Sequence, residues 1–340
     1  MHTCLAVTPE GIMLGVLDQY TYTRPEPKDK SKSHTDKKYI PIEEKESFRW
    51  LETMRKSNEG IPPEIRVINV CDREGDMYEL FERAQETDRH FLIRIVHNRR
   101  TTEDTRLIDA IRAEAPCGTV AVAVPRDSRR NLKPREALLT IRYRGFEIKK
   151  PDILRANQEL NKRVSMNVIY VREEVPEGAG YEPIEWFLAT NEPVTSIEEA
   201  YEKVGYYLQR WKIERFHYVL KSGCKVEKLQ ERTLQKTEVL LLLYSIIAVC
   251  ILNMTYLARV NPDLPCSILL EKDEWQLLYR TGNKSHETPQ EPYSIKDAII
   301  YLSRLGGPKR APSDGPPGVK TIWMGLMTLN TLLAYRDYLS

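Results

Sequence analysis

The chain carries no strong charge of either sign. Its 340 residues include 51 Lys and Arg against 49 Asp and Glu, which gives a formal net charge of +2. Such a balance does not by itself indicate nucleic acid or a membrane surface, so any DNA-binding signal must be local. The length allows two domains, or one large core with an insertion.

Metal-binding cysteine patterns and a secretion signal are also missing. The six cysteines form no C-x-x-C motif and no Cys/His pairing at zinc spacing. Met1–Val7 lacks the charged start and long apolar run of a signal peptide. We therefore expect reduced, mostly buried thiols in a cytoplasmic protein.

Long hydrophobic runs are scarce. The one membrane candidate, Val239–Leu252, is shorter than the ~20 residues that a membrane span needs. Asn253 and Arg259 follow it closely. This run predicts a buried core helix and no membrane partner.

Four polar residues mark the most informative segment, Tyr207–Lys221. Tyr207, Arg210, Glu214 and Lys221 are spaced 3, 4 and 7 apart, so on a helix they share one stripe, with His217 beside it. Seven apolar residues around the stripe predict a largely buried helix: Val204, Leu208, Trp211, Ile213, Phe216, Val219 and Leu220. A plain Arg210–Glu214 ion pair explains the spacing. A carboxylate between cations also suits a metal site for a phosphodiester substrate.

Strands are predicted where apolar and polar residues alternate and where β-branched residues form short runs. His2–Thr8 and Ile12–Tyr22 are predicted strands, and Ile65–Cys71 and Phe91–Val96 are typical of strands buried on both faces. Three strands are predicted in a β-rich insertion: Gly118–Val124, Leu138–Tyr143 and Ser165–Val171.

Helices and loops complete the pattern. The predicted helices are Glu43–Ser57, Asp76–Glu86, Ile197–Lys221 and a final amphipathic one. Arg24–Lys38 and Gly306–Gly318 are predicted loops.

The insertion also carries a local basic patch. Arg126–Lys150 holds nine Lys and Arg against three acids, with Tyr143 and Phe146 interleaved. This composition is typical of a surface that binds a nucleic-acid backbone. A solvated strand face that deters aggregation explains it equally well.

Five segments, in order, carry a family resemblance. Y-x2-R-x3-E-x6-K begins at Tyr207, and the others read VINVCDREGD (Val67–Asp76), FLIRIVH (Phe91–His97), EWFLATNEPV (Glu185–Val194) and RLGG (Arg304–Gly307). Together they resemble the bacterial cut-and-paste DDE transposases of insertion-sequence-four, transposon-five type. The resemblance runs from about residue 2 to the C-terminus.

The resemblance implies an α/β fold with an RNase H-like (retroviral-integrase-like) core, a β-rich insertion and a helical C-terminal region. It divides the chain into a core of residues 1–98, an insertion of residues 99–192, core helices in 193–260 and a dimerisation region in 261–340. DNA, at transposon ends and targets, is the implied substrate. A homodimer, or a dimer with full-length transposase, is the implied assembly.

Asp72 and Glu214 are the catalytic, metal-binding residues that the resemblance implies. Such enzymes use two divalent ions about 3.5–4 Å apart, and carboxylate oxygens favour Mg²⁺ or Mn²⁺. For Asp72 alone, a helix N-cap before Glu74–Phe81 is the structural alternative.

Further positions carry over as DNA contacts. Tyr207, Arg210 and Lys221 resemble phosphate and end-DNA contacts. Trp186 resembles the aromatic on which such enzymes stack a flipped base, although a core tryptophan would look the same. Arg73 and Glu74 are neighbours of the metal site, and His217 is as compatible with packing as with DNA.

One part of the family pattern has no counterpart. The opening HTCLAVTPEGIMLGVLD resembles the family's second and third strands, and Asp18 falls on the third. The family sheet has the order 3-2-1-4-5, and its central first strand bears the first aspartate. We therefore expect an N-terminally truncated chain with an incomplete site and two open strand edges. A non-catalytic inhibitor of transposase and a decayed fragment are the alternatives.

Overall fold

A computed structural model describes residues 1–22, 41–124, 132–154, 160–176, 178–231, 233–284, 286–307 and 316–339. The predicted loop Arg24–Lys38 lies outside these residues, as do parts of Arg126–Lys150 and Gly306–Gly318. The chain divides into two compact units: Tyr22–Arg210, and Met1–Thr21 with Trp211–Ser340.

A six-stranded sheet forms the centre of the unit Tyr22–Arg210. Its strands are β3 (Ile68–Cys71), β4 (His90–Arg94), β5 (Gly118–Val124), β6 (Arg135–Lys149), β7 (Arg163–Glu173) and β8 (Glu185–Thr190). Their order is β3-β4-β8-β7-β6-β5. β3 and β4 are parallel, and every other pair is antiparallel. The predicted insertion therefore continues the same sheet.

Both faces of this sheet are covered, because its central strands are apolar on both sides. Helices α1 (Phe48–Ser57), α2 (Tyr78–Glu86) and α3 (Leu107–Ala113) belong to the core on one face. α4 (Ile197–Gln209) buries Val204 and Tyr207 in the core on the other.

The unit of Met1–Thr21 and Trp211–Ser340 combines a hairpin with helices. β1 (His2–Val7) pairs antiparallel with β2 (Met13–Tyr20). Its α-helices are α5 (Lys212–Tyr218), α6 (Leu234–Val260), α7 (Lys272–Gly282), α8 (Ile295–Gly306) and α9 (Val319–Leu339). They share one core with Met13 of β2.

Two glycines let α8 and α9 approach closely. A Cβ at Gly306 would lie 1.9 Å from the Thr321 carbonyl oxygen, and one at Gly325 would lie 2.1 Å from that of Leu302. No side chain fits either space. The glycine at 306 in the RLGG segment therefore has a packing reason.

Helix α6 differs from its prediction in length and burial. It spans 27 residues, so the argument from length against a membrane span is wrong. Among the described helices it alone is long and apolar enough to cross a membrane, and 33% of its most apolar 18-residue stretch is buried. It packs against β2, where Gln19 donates a hydrogen bond to Ser245 at 2.9 Å. Six large apolar side chains of this helix are exposed: Leu234, Val239, Leu242, Leu243, Ile246 and Val260.

The predicted single helix Ile197–Lys221 is also wrong. It ends at Gln209, restarts at Lys212, and continues after Tyr218 as a π-helical turn, Val219–Gly223. The core positions Val204, Phe216, Val219 and Leu220 are buried as expected. Leu208 and Trp211 are 39% and 54% exposed, so the helical segment is less buried than its apolar content predicted.

Four strands have an open edge within the described residues. β1 and β2 pair only with each other, β3 pairs only with β4, and β5 pairs only with β6. An unpaired edge presents a row of free backbone N–H and C=O groups. Each edge can therefore accept a further strand.

Candidate functional site

Asp72 stands at the carboxyl end of β3, where the strand turns into a short 3₁₀ helix, Arg73–Gly75. Its Oδ1 accepts a hydrogen bond from the backbone N–H of Glu74 at 2.9 Å. Asp72 therefore caps this 3₁₀ turn, whereas the predicted cap of a helix Glu74–Phe81 is wrong, because α2 begins at Tyr78 with Met77 as its N-cap. The side chain remains 39% exposed, so the second oxygen can meet a ligand. Arg73 and Glu74 are exposed, and Glu74 pairs with Arg49 at 3.0 Å.

Two residues of the predicted stripe lie beside Asp72. Arg210, at the end of α4, places Nη1 4.0 Å from Asp72 Oδ2. The Arg210 guanidinium lies 5.9 Å from the centre of the Tyr207 ring. Burial raises the pKa of the Tyr207 hydroxyl, and nearby arginines offset this only in part. Tyr207 therefore stays a neutral hydrogen-bonding group at physiological pH.

Trp186 of β8 completes this cluster. Its ring meets the Tyr207 ring edge-on, with centroids 5.3 Å apart and an interplanar angle of 61°. The indole is half-buried against the core. Trp186 therefore packs against the core while part of its surface stays accessible, and its role in stacking a flipped base stays a prediction.

Arg94 is a residue of this cluster that the sequence reasoning missed. It ends β4, donates to the Glu185 carbonyl at 3.2 Å, and hydrogen-bonds the side chain of Tyr207. A lone arginine inside the apolar run FLIRIV is the signal that could have found it, because such a charge needs a partner or a ligand.

A buried ion cluster fixes the helix that carries Tyr207 and Arg210. Lys203 of α4 and Glu192 after β8 are each 2% exposed, and Nζ lies 3.1 Å from Oε2. Arg66 donates two hydrogen bonds of 2.6 Å to the same carboxylate. Burial opposes ionisation of Glu192, but the bonds from Arg66 and Lys203 hold its pKa below the usual range.

The remaining predicted residues belong to the unit Met1–Thr21 with Trp211–Ser340. Glu214 lies exposed on α5, and Lys221 lies in the π-helical turn with Glu227 Oε1 3.1 Å away. A π-helical turn is frequent at functional sites. Burial, then the charge of Lys221, lowers the pKa of His217. Its Nε2 is buried and has no hydrogen-bond partner among the described residues.

The basic patch is partly neutralised where the structure describes it. Three of its cations have carboxylate partners: Arg135 pairs with Glu173, Arg144 with Glu103 and Glu114, and Lys149 with Asp104. Phe146 is buried, so its ring is closed to stacking. For these residues the solvated strand face is the better interpretation.

The donor types for a divalent ion are present. Asp72 and Glu214 both offer carboxylate oxygens with solvent access, which suit Mg²⁺ or Mn²⁺. Across the described residues, however, no three His, Cys, Asp or Glu side chains are grouped closely enough to hold a metal.

The chain matches two known protein families. Residues 50–251 match the transposase DDE domain, and residues 246–338 match the transposase Tn5 dimerisation domain. DDE domains have an RNase H-like α/β fold and generally use divalent metals. The first match spans more than half of the chain, including Asp72, Tyr207, Arg210 and Glu214. The chain therefore belongs to the DDE transposase family and resembles the transposon Tn5 type.

Proposed function

We propose that this chain is the catalytic and dimerisation region of a cut-and-paste transposase of insertion-sequence-four type, acting on phosphodiester bonds at transposon ends. The observation that supports this best is the cluster at the carboxyl end of β3. There Asp72 lies beside Arg210, and Tyr207 packs on Trp186. A carboxylate for metal, a cation for phosphate and an aromatic pair for a base are what DNA strand processing needs.

In this proposal Asp72 and Glu214 hold Mg²⁺ or Mn²⁺. When bound, the ions activate the attacking oxygen and stabilise the leaving oxygen. Arg210, Lys221 and Arg73 attract the phosphate backbone.

The aromatic cluster would receive a base. The half-buried Trp186 offers a stacking surface that Tyr207 braces from the side. Stacking of this kind offsets the cost of unstacking a flipped nucleotide. His217 remains a proposed DNA contact or packing residue.

We further propose that the metal centre needs another carboxylate, supplied on a strand that pairs with β3. Two observations support this: the open edge of β3, and the lack of a three-ligand group among the described residues. The family's first strand carries its first aspartate beside the strand that β3 resembles. Without that strand we expect the chain to bind DNA without cutting it.

Dimer formation is supported by the dimerisation-domain match and by the surface of α9. Met324, Met327 and Tyr335 are 47%, 53% and 66% exposed along this helix. Met327→Glu should shift a dimer to monomer in light-scattering chromatography, whereas Leu138→Glu, at a 51% exposed position of β6 outside residues 246–338, serves as the control. Equal masses for both variants would contradict an α9 interface.

A non-catalytic inhibitor is the second candidate function. Two observations favour it: the match of residues 246–338 to a dimerisation domain, and the lack of a three-ligand metal group among the described residues. A chain that pairs with a transposase without completing the metal centre would inhibit the dimer. Co-expression with an active family member should then lower transposition, and Met327→Glu should relieve the inhibition.

A nicking assay tests the catalytic proposal. Purified chain is incubated with transposon-end duplex and Mn²⁺, alone and with a peptide of the family's first catalytic strand. We expect nicking only with the peptide, lost in Asp72→Ala and Glu214→Ala and retained in the surface control Glu86→Ala.

Two results would count against the proposal in different ways. Nicking by the chain alone, lost in Asp72→Ala, would show that the centre is complete without an added strand. Nicking that survives both alanine variants would show that these carboxylates are not the catalytic ones.

A further inference from the structure

A basic groove opens within the unit Tyr22–Arg210, outside the Asp72 cluster. Its volume is about 710 Å³. Six of its lining residues are Lys or Arg: Lys45, Arg99, Arg100, Arg106, Lys149 and Lys150. Three lining residues are acidic: Asp76, Glu79 and Asp152. The groove is therefore electropositive on a chain that is nearly neutral.

The position of the groove follows from the sheet. β3 and β4 are parallel, so their carboxyl ends lie at one edge. The segment after β3 carries Asp72 and, four residues later, Asp76 of the groove wall. The segment after β4 supplies His97–Arg100 to the same wall. The groove thus lies at the edge of the sheet that presents Asp72.

The charges of the groove are not all available to a ligand. Asp76 is buried, pairs with Arg99, and accepts backbone hydrogen bonds from Val96 at 2.7 Å and His97 at 2.8 Å. Lys149 pairs with Asp104, so it contributes less. Arg99 and Asp76 are therefore structural, because they fix the loop that carries Arg100.

Arg100 and Arg106 stand out. They face each other across an antiparallel β-bridge, and both side chains are exposed. Residues directly opposite in such a bridge point to the same side, where like charges repel. Neither arginine forms an ion pair within 4 Å of a described acid; Arg106 Nη1 donates instead to the Asn98 carbonyl at 3.0 Å. An anion between the two guanidinium groups would relieve this repulsion.

We infer that Arg100 and Arg106, with Lys45 of the same lining, clamp the sugar-phosphate backbone of duplex DNA in this groove. The inference rests on the proposed function and adds a DNA contact outside the predicted residues. The ligand is the backbone rather than a base, because the lining is rich in cations and its tyrosine, Tyr78, is buried and donates its hydroxyl to the Asn161 carbonyl. Binding here is expected to be independent of sequence and sensitive to salt.

The test compares two double variants of the whole chain by fluorescence anisotropy with a labelled duplex. Arg100→Gln/Arg106→Gln removes the clamp. Arg55→Gln/Arg83→Gln removes two exposed arginines outside the groove lining and serves as the charge-matched control. We expect the clamp variant to bind at least about tenfold more weakly at low salt. Its plot of log affinity against log salt should be flatter by about 2, since each lost phosphate contact removes roughly one unit of slope.

Thermal unfolding separates this role from a structural one. Removing two repelling charges should leave the melting temperature of the clamp variant unchanged or raise it, while DNA affinity falls. If the clamp variant fails to fold, Lys45→Gln/Arg100→Gln takes its place. Equal affinities and salt slopes for clamp and control variants would overturn the groove assignment and leave the proposed function standing. No binding of duplex by the unaltered chain would overturn both.

Discussion

The buried pair of Glu192 and Lys203 should govern the stability of the sheet unit. Glu192→Leu leaves Lys203 with Glu202 at 2.5 Å as its remaining partner. Lys203→Leu leaves Glu192 with the two hydrogen bonds from Arg66. Each single change therefore leaves a buried charge with only some of its partners.

Breaking a buried ion pair costs about 3–5 kcal/mol, because the remaining charge stays desolvated. The surviving partners place each single variant at the low end, about 3 kcal/mol. For a unit of this size that lowers the melting temperature by about 6–12 °C. The double variant removes both buried charges and should cost much less than the sum, since apolar replacements of a buried pair are often close to neutral.

Urea unfolding of the four proteins measures this as a double-mutant cycle. We expect a coupling free energy of about 2 kcal/mol or more between Glu192 and Lys203. Additive costs, or single costs below about 1 kcal/mol, would refute the idea that this pair anchors α4.

Three other predictions follow from individual contacts. Gly325→Ala should destabilise the helical unit through its clash with α8. Gly205→Ala, whose added methyl would meet nothing within 4 Å, should instead stabilise α4 by up to about 1 kcal/mol. Thermal melts should show a lower melting temperature for the first variant and a higher one for the second. Tyr207→Phe keeps the contact with Trp186 but loses the hydroxyl. DNA affinity should therefore fall, while the free energy of unfolding drops by only about 1 kcal/mol. A loss of several kcal/mol of stability would contradict this prediction. The lowered pKa of Glu192 contributes stability that is present above its unfolded pKa and is lost as pH falls through the folded one. The difference in unfolding free energy between the unaltered chain and Glu192→Gln should therefore become smaller below about pH 4.5. A difference that stays constant during acid titration would count against this.

Strands and their turns were the most predictable elements. The bounds of β5, Gly118–Val124, match the prediction, because alternation over a short antiparallel strand is unambiguous. Asp72 lies where the VINVCDREGD segment placed it, at the end of a β-branched run. Here local sequence and tertiary structure agree.

The break between α4 and α5 could not be read from the sequence. Arg210 and Trp211 keep right-handed helical dihedrals, with φ of −51° and −59°. No Pro or Gly marks the site, so the apolar periodicity continues across it. Only the helical pattern of backbone hydrogen bonds is interrupted at this site.

Buried charges were missed for a different reason. Lys203 occupies the apolar stripe of α4 with Ala200, Val204 and Tyr207, and a lysine there signals a buried partner. The identity of that partner depends on Glu192, which only the fold brings near. Arg94 was missed in the same way, since its contact with Tyr207 joins β4 to α4.

Asp72 and Glu214 are proposed ligands of a divalent metal at a DNA-processing centre. Fe²⁺ in place of Mg²⁺ reduces added hydrogen peroxide to hydroxyl radicals, which cleave the polypeptide near the metal, and ascorbate returns the Fe³⁺ formed to Fe²⁺. Bound duplex supplies further oxygen ligands through its phosphates. We predict cleavage next to Asp72 and next to Glu214, reduced at both positions by Asp72→Asn and unchanged by Glu86→Gln. Cleavage confined to other segments, or unaffected by Asp72→Asn, would contradict the account.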